Sequence, residues 1–101
     1  MSLIKAIYAE DALIEDPYGS ENKIQGEQAI EQFYQFAFES GMKATLTGPI
    51  RVAGDCAVFP FQIEFNGQLI DVIDLFQFND SGKVINMKAF WSQEINMHPA
   101  K

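Results

Sequence analysis

The chain has 101 residues, of which 48% are hydrophobic and 21% charged, so its composition is that of one globular domain. Fourteen acidic against seven basic residues give a net charge of -7. A field of that sign repels phosphate backbones and anionic lipids, which argues against nucleic-acid and membrane partners. Nothing at the N-terminus resembles a signal peptide, and no apolar run approaches the ~20 residues that span a bilayer. We therefore expect a cytoplasmic protein.

Cysteine and histidine are too few to suggest a metal site. Cys56 and His98 each occur once in the sequence, and one of each cannot form a familiar zinc ligand set or an internal disulfide. His98 is predicted to be a solvated tail residue. The sequence also lacks a Gly-rich phosphate loop and a dinucleotide fingerprint, so we expect neither metal nor cofactor.

Two helices are predicted in the first half of the chain. Ser2 is a candidate cap for a short helix over Leu3–Ala9. A longer helix is predicted from Glu27 to Ser40, with Gly41 at the position where helices commonly end. Its apolar residues recur at helical spacing and form one stripe, namely Ile30, Phe33, Tyr34 and Ala37.

The rest of the pattern predicts strands. Ala12–Asp16 is predicted to be a short strand, and about four strands follow from Met42 onward, with turns at Ala53–Asp55, Asn66–Gly67 and Asn79–Gly82. Pro60 within a strand pattern predicts a bulge or an edge position. Helices that precede an antiparallel sheet favour an α+β fold in which a curved sheet packs on the helices.

The strand predicted over Leu69–Phe78 contains the first chemical anomaly. Its period of two places Asp74 on the same face as four large apolar residues, Ile70, Val72, Phe76 and Phe78. An ionised carboxylate there would lose hydration, so it must find a partner or stay protonated. A pair with Arg51 or a lysine, or bonds from backbone amides, would make it structural. Perturbed carboxyls also cluster at functional sites, so both interpretations stay open.

Asp16 is the second anomaly, because it stands in phase with Ala12 and Ile14 directly before Pro17. A residue before proline is extended, which suits a carboxylate projected into a cavity mouth, although a turn aspartate is the commoner occurrence. Neighbouring strands offer an apolar wall of core residues that also suits a pocket: Ala57, Phe59, Phe61, Ile63, Phe65, Ile85, Met87, Ala89 and Trp91.

Four segments resemble a known family. Tyr8–Gly19, Leu46–Arg51, Asp71–Asp74 and Ala89–Ser92 are similar, in the same order, to segments of bacterial Δ5-3-ketosteroid isomerases, and the likeness extends from Ile7 to Asn96. These isomerases are SnoaL-like proteins of the nuclear transport factor 2-like superfamily. The resemblance implies a cone-shaped fold and a homodimer.

The resemblance also implies roles for particular residues. Asp16 matches the general base, and Asp74 matches the aspartic acid that donates to the oxyanion. Tyr34 and Tyr8 match a supporting hydrogen-bonded network, and Trp91 matches an aromatic of the steroid pocket. We expect four more residues to contact the substrate, a small apolar ketone: Phe59, Phe61, Phe76 and Met87.

One departure from the family concerns the start of the chain. The family normally begins with a further helix that carries the principal oxyanion-hole tyrosine, and this sequence offers no counterpart. Residues 1–101 are therefore expected to form a single domain truncated at its N-terminus. Two alternatives to the isomerase stay open: a non-catalytic domain that binds a hydrophobic ligand, and a polyketide cyclase-like enzyme that acts on another carbonyl compound.

Overall fold

The computed structural model describes residues 3–100, which form three helices and eight strands. In chain order the elements are α1 (Leu3–Ile7), β1 (Tyr8–Glu15), β2 (Lys23–Gln25), α2 (Glu27–Glu39), β3 (Lys43–Leu46), β4 (Arg51–Ala53), β5 (Cys56–Phe65), β6 (Gln68–Phe78), β7 (Val84–Phe90), α3 (Gln93–Asn96) and β8 (Met97–Pro99). None of the helices in this range is long and apolar enough to cross a bilayer.

The two longest strands, β5 and β6, form an antiparallel hairpin that is the centre of the sheet. Asn66 (φ 52°) and Gly67 (φ 74°) make the turn between them, and two successive positive φ angles are what a tight two-residue hairpin requires. The predicted hairpin is confirmed. Its register runs without interruption from the Cys56–Gln77 pair to the Phe65–Gln68 pair, which fixes the face of every side chain along both strands.

Shorter strands border the hairpin on both sides. β3 and β4 pair in succession with β5, while β7 and β8 pair in succession with β6, and β1 and β2 extend the sheet beyond β7. The edge strands β2 and β3 do not pair with each other within the described residues, so the curved sheet stays open. The α+β fold with a curved sheet packed on helices is thus confirmed.

Helix α2 lies against β1 and β2. It follows Gly26 (φ 94°), ends at Ser40, whose N–H donates to the carbonyl of Phe36, and is followed by Gly41 (φ 81°). Its predicted bounds are therefore confirmed within one residue. Ile30 from its apolar stripe is fully buried, in a core shared with Ala12, Ile14, Val84, Met87 and Ala89.

Pro60 makes neither a bulge nor an interruption in its pairing with β6, where it lies opposite Ile73. Its carbonyl accepts from the Thr47 N–H at 3.1 Å, so the ring nitrogen faces the same side, between the end of β3 and the start of β4. Of the two predicted explanations the bulge is wrong, and the edge position is confirmed locally, because Pro60 has no strand partner among the described residues on the side away from β6. The proline is tolerated because the neighbouring chain leaves the sheet at this position and offers no acceptor that needs its missing donor.

The first predicted helix is too long. α1 ends at Ile7, and Tyr8 and Ala9 already belong to β1, which begins four residues before the predicted strand. Long-range parallel pairing with β7, from Tyr8–Val84 to Glu15–Lys88, overrides the local helical spacing. The proposed cap Ser2 lies outside the described residues.

The structure differs from the sequence-based predictions in two further places, both in the C-terminal third of the chain. Ile85 is an extra residue in β7, since Gln77 pairs with Asn86 and Phe78 with Val84, and this bulge turns Val84 into the core in place of Ile85. The tail is also not free, because His98 lies in β8 opposite Leu69 and its ring contacts Asp71 at 3.2 Å. Pairings of short strands such as β2, β4 and β8 explain why the sheet has eight strands.

Candidate functional site

A cavity of about 680 Å³ lies between α2 and the concave face of the sheet. Its lining is mostly apolar, with the carboxyl groups of Asp16 and Asp74 and the hydroxyl of Tyr34 among the few polar groups. All five residues predicted to contact a substrate line it: Phe59, Phe61, Phe76, Met87 and Trp91. Such a space suits a ligand with an apolar body and few polar groups.

Asp74 lies in the middle of β6 and points into this cavity. The pleat puts it on the same face as Val72 and Phe76, while its cross-strand neighbours are Phe59 on β5 and Ala89 on β7. Its residue surface is only 8% exposed, and the buried Oδ1 atom has no hydrogen-bond partner. Desolvation, followed by the negative charge of Asp16, raises the pKa of the Asp74 carboxyl to about 7.

The structural interpretations of Asp74 find no support in its contacts. Arg51 is exposed and donates from Nη1 to the carbonyl of Pro49 at 3.2 Å. The ion pairs found within residues 3–100 join other partners, namely Lys5 with Glu27, Lys88 with Glu15, and His98 with Asp71. Asp74 is therefore an uncompensated buried carboxyl, and below its pKa of about 7 it avoids the cost of a bare charge by holding its proton.

Asp16 follows β1 directly and occupies a half-buried place on the cavity wall. Trp91 Nε1 donates to its Oδ1 at 2.8 Å, whereas Oδ2 takes none of the hydrogen bonds within residues 3–100. Asn22 braces the backbone here, since its Nδ2 donates to the Asp16 carbonyl at 2.6 Å. The Tyr18 N–H donates to the carbonyl of Ala89 at 2.7 Å and ties the following loop to β7. One carboxylate oxygen is thus fixed and the other is left for a ligand.

Tyr8 and Tyr34 form a hydrogen-bonded pair beside Asp74, with their Oη atoms 2.5 Å apart. Burial raises the pKa of Tyr34 to about 12 and moves the pKa of Tyr8 further in the same direction. The Asp74 charge contributes to both shifts. Both phenols therefore keep their protons at neutral pH. Tyr34 lines the cavity, but Tyr8 lies behind it in the core.

The aromatic wall of the cavity is built by ring-to-ring contact. The Phe59 ring centroid lies 5.8 Å from that of Phe61 and 5.3 Å from that of Phe76, the latter nearly edge-to-face. Met87 is buried at the pair position next to Phe76. The structure thus brings the predicted contact residues together on one concave face, while their role in binding stays a prediction.

Sequence reasoning missed several residues of the cavity. Phe36 and Phe38 of α2 line its opening and are 66% and 77% exposed, with Leu46 of β3 beside them. Helical spacing held a signal for Phe38, which is four residues after Tyr34. Met97 was not predictable, because it reaches the cavity only through the pairing of β8 with β6.

The described part of the chain contains no group of three or more His, Cys, Asp or Glu side chains arranged to hold a metal ion. The cavity itself offers one accessible carboxylate oxygen on Asp16, one buried carboxyl on Asp74, and the Tyr34 phenol.

Comparison with known proteins assigns the family. The SnoaL-like domain family matches residues 1–87. The chain belongs to this family. A relative from Nocardioides simplex named steroid Delta-isomerase is 33% identical over 93 residues, which cover 88% of this chain and 74% of the relative. A solved structure of SalBIII, described as an epoxide hydrolase/cyclase-like enzyme in pyran ring formation in polyether salinomycin, superposes with a TM-score of 0.81. It is 20% identical, and the match covers 91% of this chain and 77% of that one, so it shows the shared fold.

The stability of this SnoaL-like domain should depend on the protonation of Asp74. Its pKa of about 7 in the fold exceeds the usual 3.8, so between these values the folded state binds more protons than the unfolded state. The free energy of unfolding should fall as pH rises from 4 to 8, by roughly 4 kcal/mol from this group. Urea denaturation across that range measures it.

Two variants isolate the contribution of Asp74 to the pH dependence of the free energy of unfolding. Asp74→Asn should flatten the pH dependence above pH 4, because the amide has no charge to desolvate. Glu64→Gln, at an exposed position of the adjacent strand β5, should leave the dependence as it is. An Asp74→Asn profile that keeps the full fall between pH 4 and 8 would show that another group titrates in this range.

Proposed function

We propose that this protein moves a carbon–carbon double bond of a ketone from the β,γ to the α,β position by intramolecular proton transfer. The observation that carries the proposal is the pairing, on one apolar cavity, of two carboxyl groups with opposite surroundings. Asp16 presents an accessible oxygen with a tryptophan donor on the other, while Asp74 is buried without a partner. The steroid Delta-isomerase relative supports an isomerase-type activity.

The two carboxyls divide the chemistry between them. The Asp16 carboxylate removes a proton from the carbon between the ketone and the double bond, and the electron pair shifts to give a dienolate. Neutral Asp74 donates a hydrogen bond to the oxygen on which the negative charge develops. The Asp16 carboxylic acid then returns the same proton two carbons further along, so that no atom or electron is gained or lost.

The cavity supports a flat, largely apolar ketone as substrate. Its aromatic and aliphatic wall can bury an extended hydrocarbon body, and the polar groups of the reaction lie on α2, β6 and the end of β1. A steroid-like ketone meets these demands, as does any rigid cyclic enone of similar shape. Trp91, Phe59, Phe61, Phe76 and Met87 are the residues that we propose contact its body.

A second candidate function is binding of a hydrophobic ligand without turnover. The exposed Phe36 and Phe38 at the cavity opening favour it, because they allow an apolar molecule to enter and leave readily. The same carboxyl pair could also act on another carbonyl compound, as a polyketide cyclase-like enzyme would. Tight binding of a fluorescent phenolic steroid with no product from a panel of unsaturated ketones would favour binding alone.

The outer face of the sheet supports homodimerisation. Ile73 and Phe90 are opposite each other in the β6–β7 pair and both are exposed, with the Tyr18 ring 5.4 Å from that of Phe90. We call Tyr18, Ile73 and Phe90 the outer patch. A second copy of this chain is its proposed occupant, because an apolar patch can cover an identical one across a two-fold axis.

Turnover provides the direct test of the assigned base. Incubation with 5-androstenedione should produce the conjugated enone, whose ultraviolet absorbance reports the rate. Asp16→Asn should lower that rate by about a hundredfold to ten-thousandfold, because it removes the proton acceptor. Asp11→Asn, at an exposed position of the same strand, should retain the parent rate. Equal rates for Asp16→Asn and the parent would exclude Asp16 as the base.

The pH dependence of kcat/KM tests the neutral form of Asp74. Since only the protonated carboxyl donates, the rate should decline as pH rises above about 7, the pKa of that group. Asp74→Asn should lose this decline because the amide stays a donor at all pH values. Asp74→Ala should lower the rate by about a hundredfold to a thousandfold. An unchanged decline in Asp74→Asn would assign it to another group.

Sedimentation in solution tests the dimer. The chain should have twice the mass of one copy, and Ile73→Lys should give a monomer because it places a charge in the outer patch. Val52→Lys is the matched control: Val52 is exposed, but it is paired with Ala57 and therefore lies on the opposite face of the sheet. A monomeric parent protein would refute the proposal.

A further inference from the structure

The wall of the cavity extends well beyond its carboxyl groups. Asp74 lies in one cross-strand row of the sheet, between Phe59 and Ala89. Four residues earlier along β6, a second row crosses four strands and lines the same cavity; its members, in order from β3 to β8, are Ala44, Ile63, Ile70 and Met97. We call these four residues the far row. At about 3.3 Å per residue, the far row lies roughly 13 Å from Asp74 along the strand.

The cavity continues past the far row. Phe65, the last residue of β5, and Met42, directly before β3, also line it. Phe65 pairs with Gln68, which precedes Asp74 by six residues, so the lining extends about 20 Å along β6 from the carboxyl. The side chains of the far row, Phe65 and Met42 carry neither a charge nor a hydroxyl or amide group. This end of the cavity therefore suits a hydrocarbon and offers nothing to a polar group.

A four-ring ketone alone does not fill this space. With its oxygen at Asp74, a four-ring nucleus reaches roughly 10 Å, the length of about eight C–C bonds in a zigzag, and ends short of the far row. At the packing density of organic crystals it needs roughly 400 Å³, whereas the cavity has about 680 Å³. An eight-carbon side chain raises these requirements to about 17 Å and roughly 600 Å³. A ketone with such a side chain matches the cavity in both length and volume.

We propose that the far end of the cavity is a subsite for an aliphatic side chain, carried by a ring ketone at the end opposite its oxygen. This inference rests on the proposed function for the position of the ketone beside Asp74. The side chain packs on the far row and ends beside Phe65 and Met42, which are half-buried and gain burial from it. An anionic side chain is rejected, because the subsite offers it no partner and the net charge of -7 repels it.

Three saturated ketones with the same nucleus test the subsite without turnover. 5α-Androstan-3-one has no side chain, 5α-cholestan-3-one has one of eight carbons, and 3-oxo-5α-cholan-24-oic acid has one that ends in a carboxylate. Trp91 is the one tryptophan of the sequence and lines the cavity, so its emission reports binding. The parent protein should bind 5α-cholestan-3-one at least tenfold more tightly than either of the other two. Affinities for 5α-cholestan-3-one and 5α-androstan-3-one within twofold of each other would exclude the subsite.

Ala44→Phe locates the side chain of the ligand, because it fills the far row from an exposed position of the edge strand β3. It should weaken 5α-cholestan-3-one binding at least fivefold and change 5α-androstan-3-one binding less than twofold. Ala53→Phe is the matched control and should alter neither affinity: Ala53 is also exposed and paired with β5, but it does not line the cavity. Equal losses for both ketones in Ala44→Phe, or no loss for either, would overturn the proposal.

Met97→Gln keeps the test available if Ala44→Phe does not fold. Glutamine has nearly the length of methionine but puts an amide in the far row, where an aliphatic side chain would desolvate it. Affinity for 5α-cholestan-3-one should fall at least threefold and affinity for 5α-androstan-3-one should stay within twofold. Ile95→Gln, at an exposed position of α3, should leave both unchanged. An unchanged 5α-cholestan-3-one affinity in Met97→Gln would place the side chain elsewhere and refute the subsite.

Turnover separates the subsite from the proposed reaction. If the parent protein does not isomerise 5-androstenedione or cholest-5-en-3-one, the reaction fails, while the binding constants of the saturated ketones still decide the subsite. If it does, kcat/KM should be higher for cholest-5-en-3-one, because binding of the side chain also stabilises the transition state. An equal or lower kcat/KM for cholest-5-en-3-one would refute the subsite while the reaction stands.

Discussion

The site depends on the burial of one carboxyl group without a counter-charge. Asp74 could have been neutralised by a lysine or arginine, but the cations of the described chain pair elsewhere or lie in solvent. The fold can tolerate this because burial raises the pKa of the group to about 7, so that the carboxyl holds its proton below that pH. Burial of the apolar residues around Asp74 offsets the free-energy cost of desolvating its carboxyl. Val72, Met87 and Ala89 are almost fully buried there. An apolar core thus surrounds a carboxyl group that has no counter-charge.

The long β5–β6 hairpin sets the geometry of that group. Its unbroken register fixes Asp74 between Phe59 and Ala89, and the small Ala89 side chain leaves space beside the carboxyl. The same β7 strand holds Asp16, because β1 runs parallel to it up to the Glu15–Lys88 pair, just before Asp16. Trp91, directly after β7, then reaches Asp16 with its ring N–H. Strand β7 therefore fixes the positions of both carboxyls, because it pairs with β1 before Asp16 and with β6 at Asp74.

Strand periodicity was enough to predict the environment of Asp74, since a period of two needs only the local sequence and a sound strand. It also placed Phe59, Phe61 and Phe76 on the concave face. Asp16 was a different case: its position before proline indicated a strand end, but its meeting with Trp91 depends on a parallel pairing of residues some 75 apart. Local sequence patterns do not predict such long-range strand pairings. The same limit explains the helix predicted over Tyr8 and the missed strand at Met97.

In the proposed cycle the cavity holds one negative charge throughout. At rest the charge is on Asp16, and its field helps to keep the proton on Asp74. When Asp16 takes a proton from the substrate, the charge moves to the ligand oxygen, next to the neutral Asp74 carboxyl. The number of charges in the apolar cavity therefore does not rise during the reaction, and the existing charge does not need to move into solvent. An apolar lining disfavours a newly formed ion, but it can accommodate an existing charge that moves between two places with a hydrogen-bond donor each: Trp91 at Asp16, and Asp74 at the ligand oxygen.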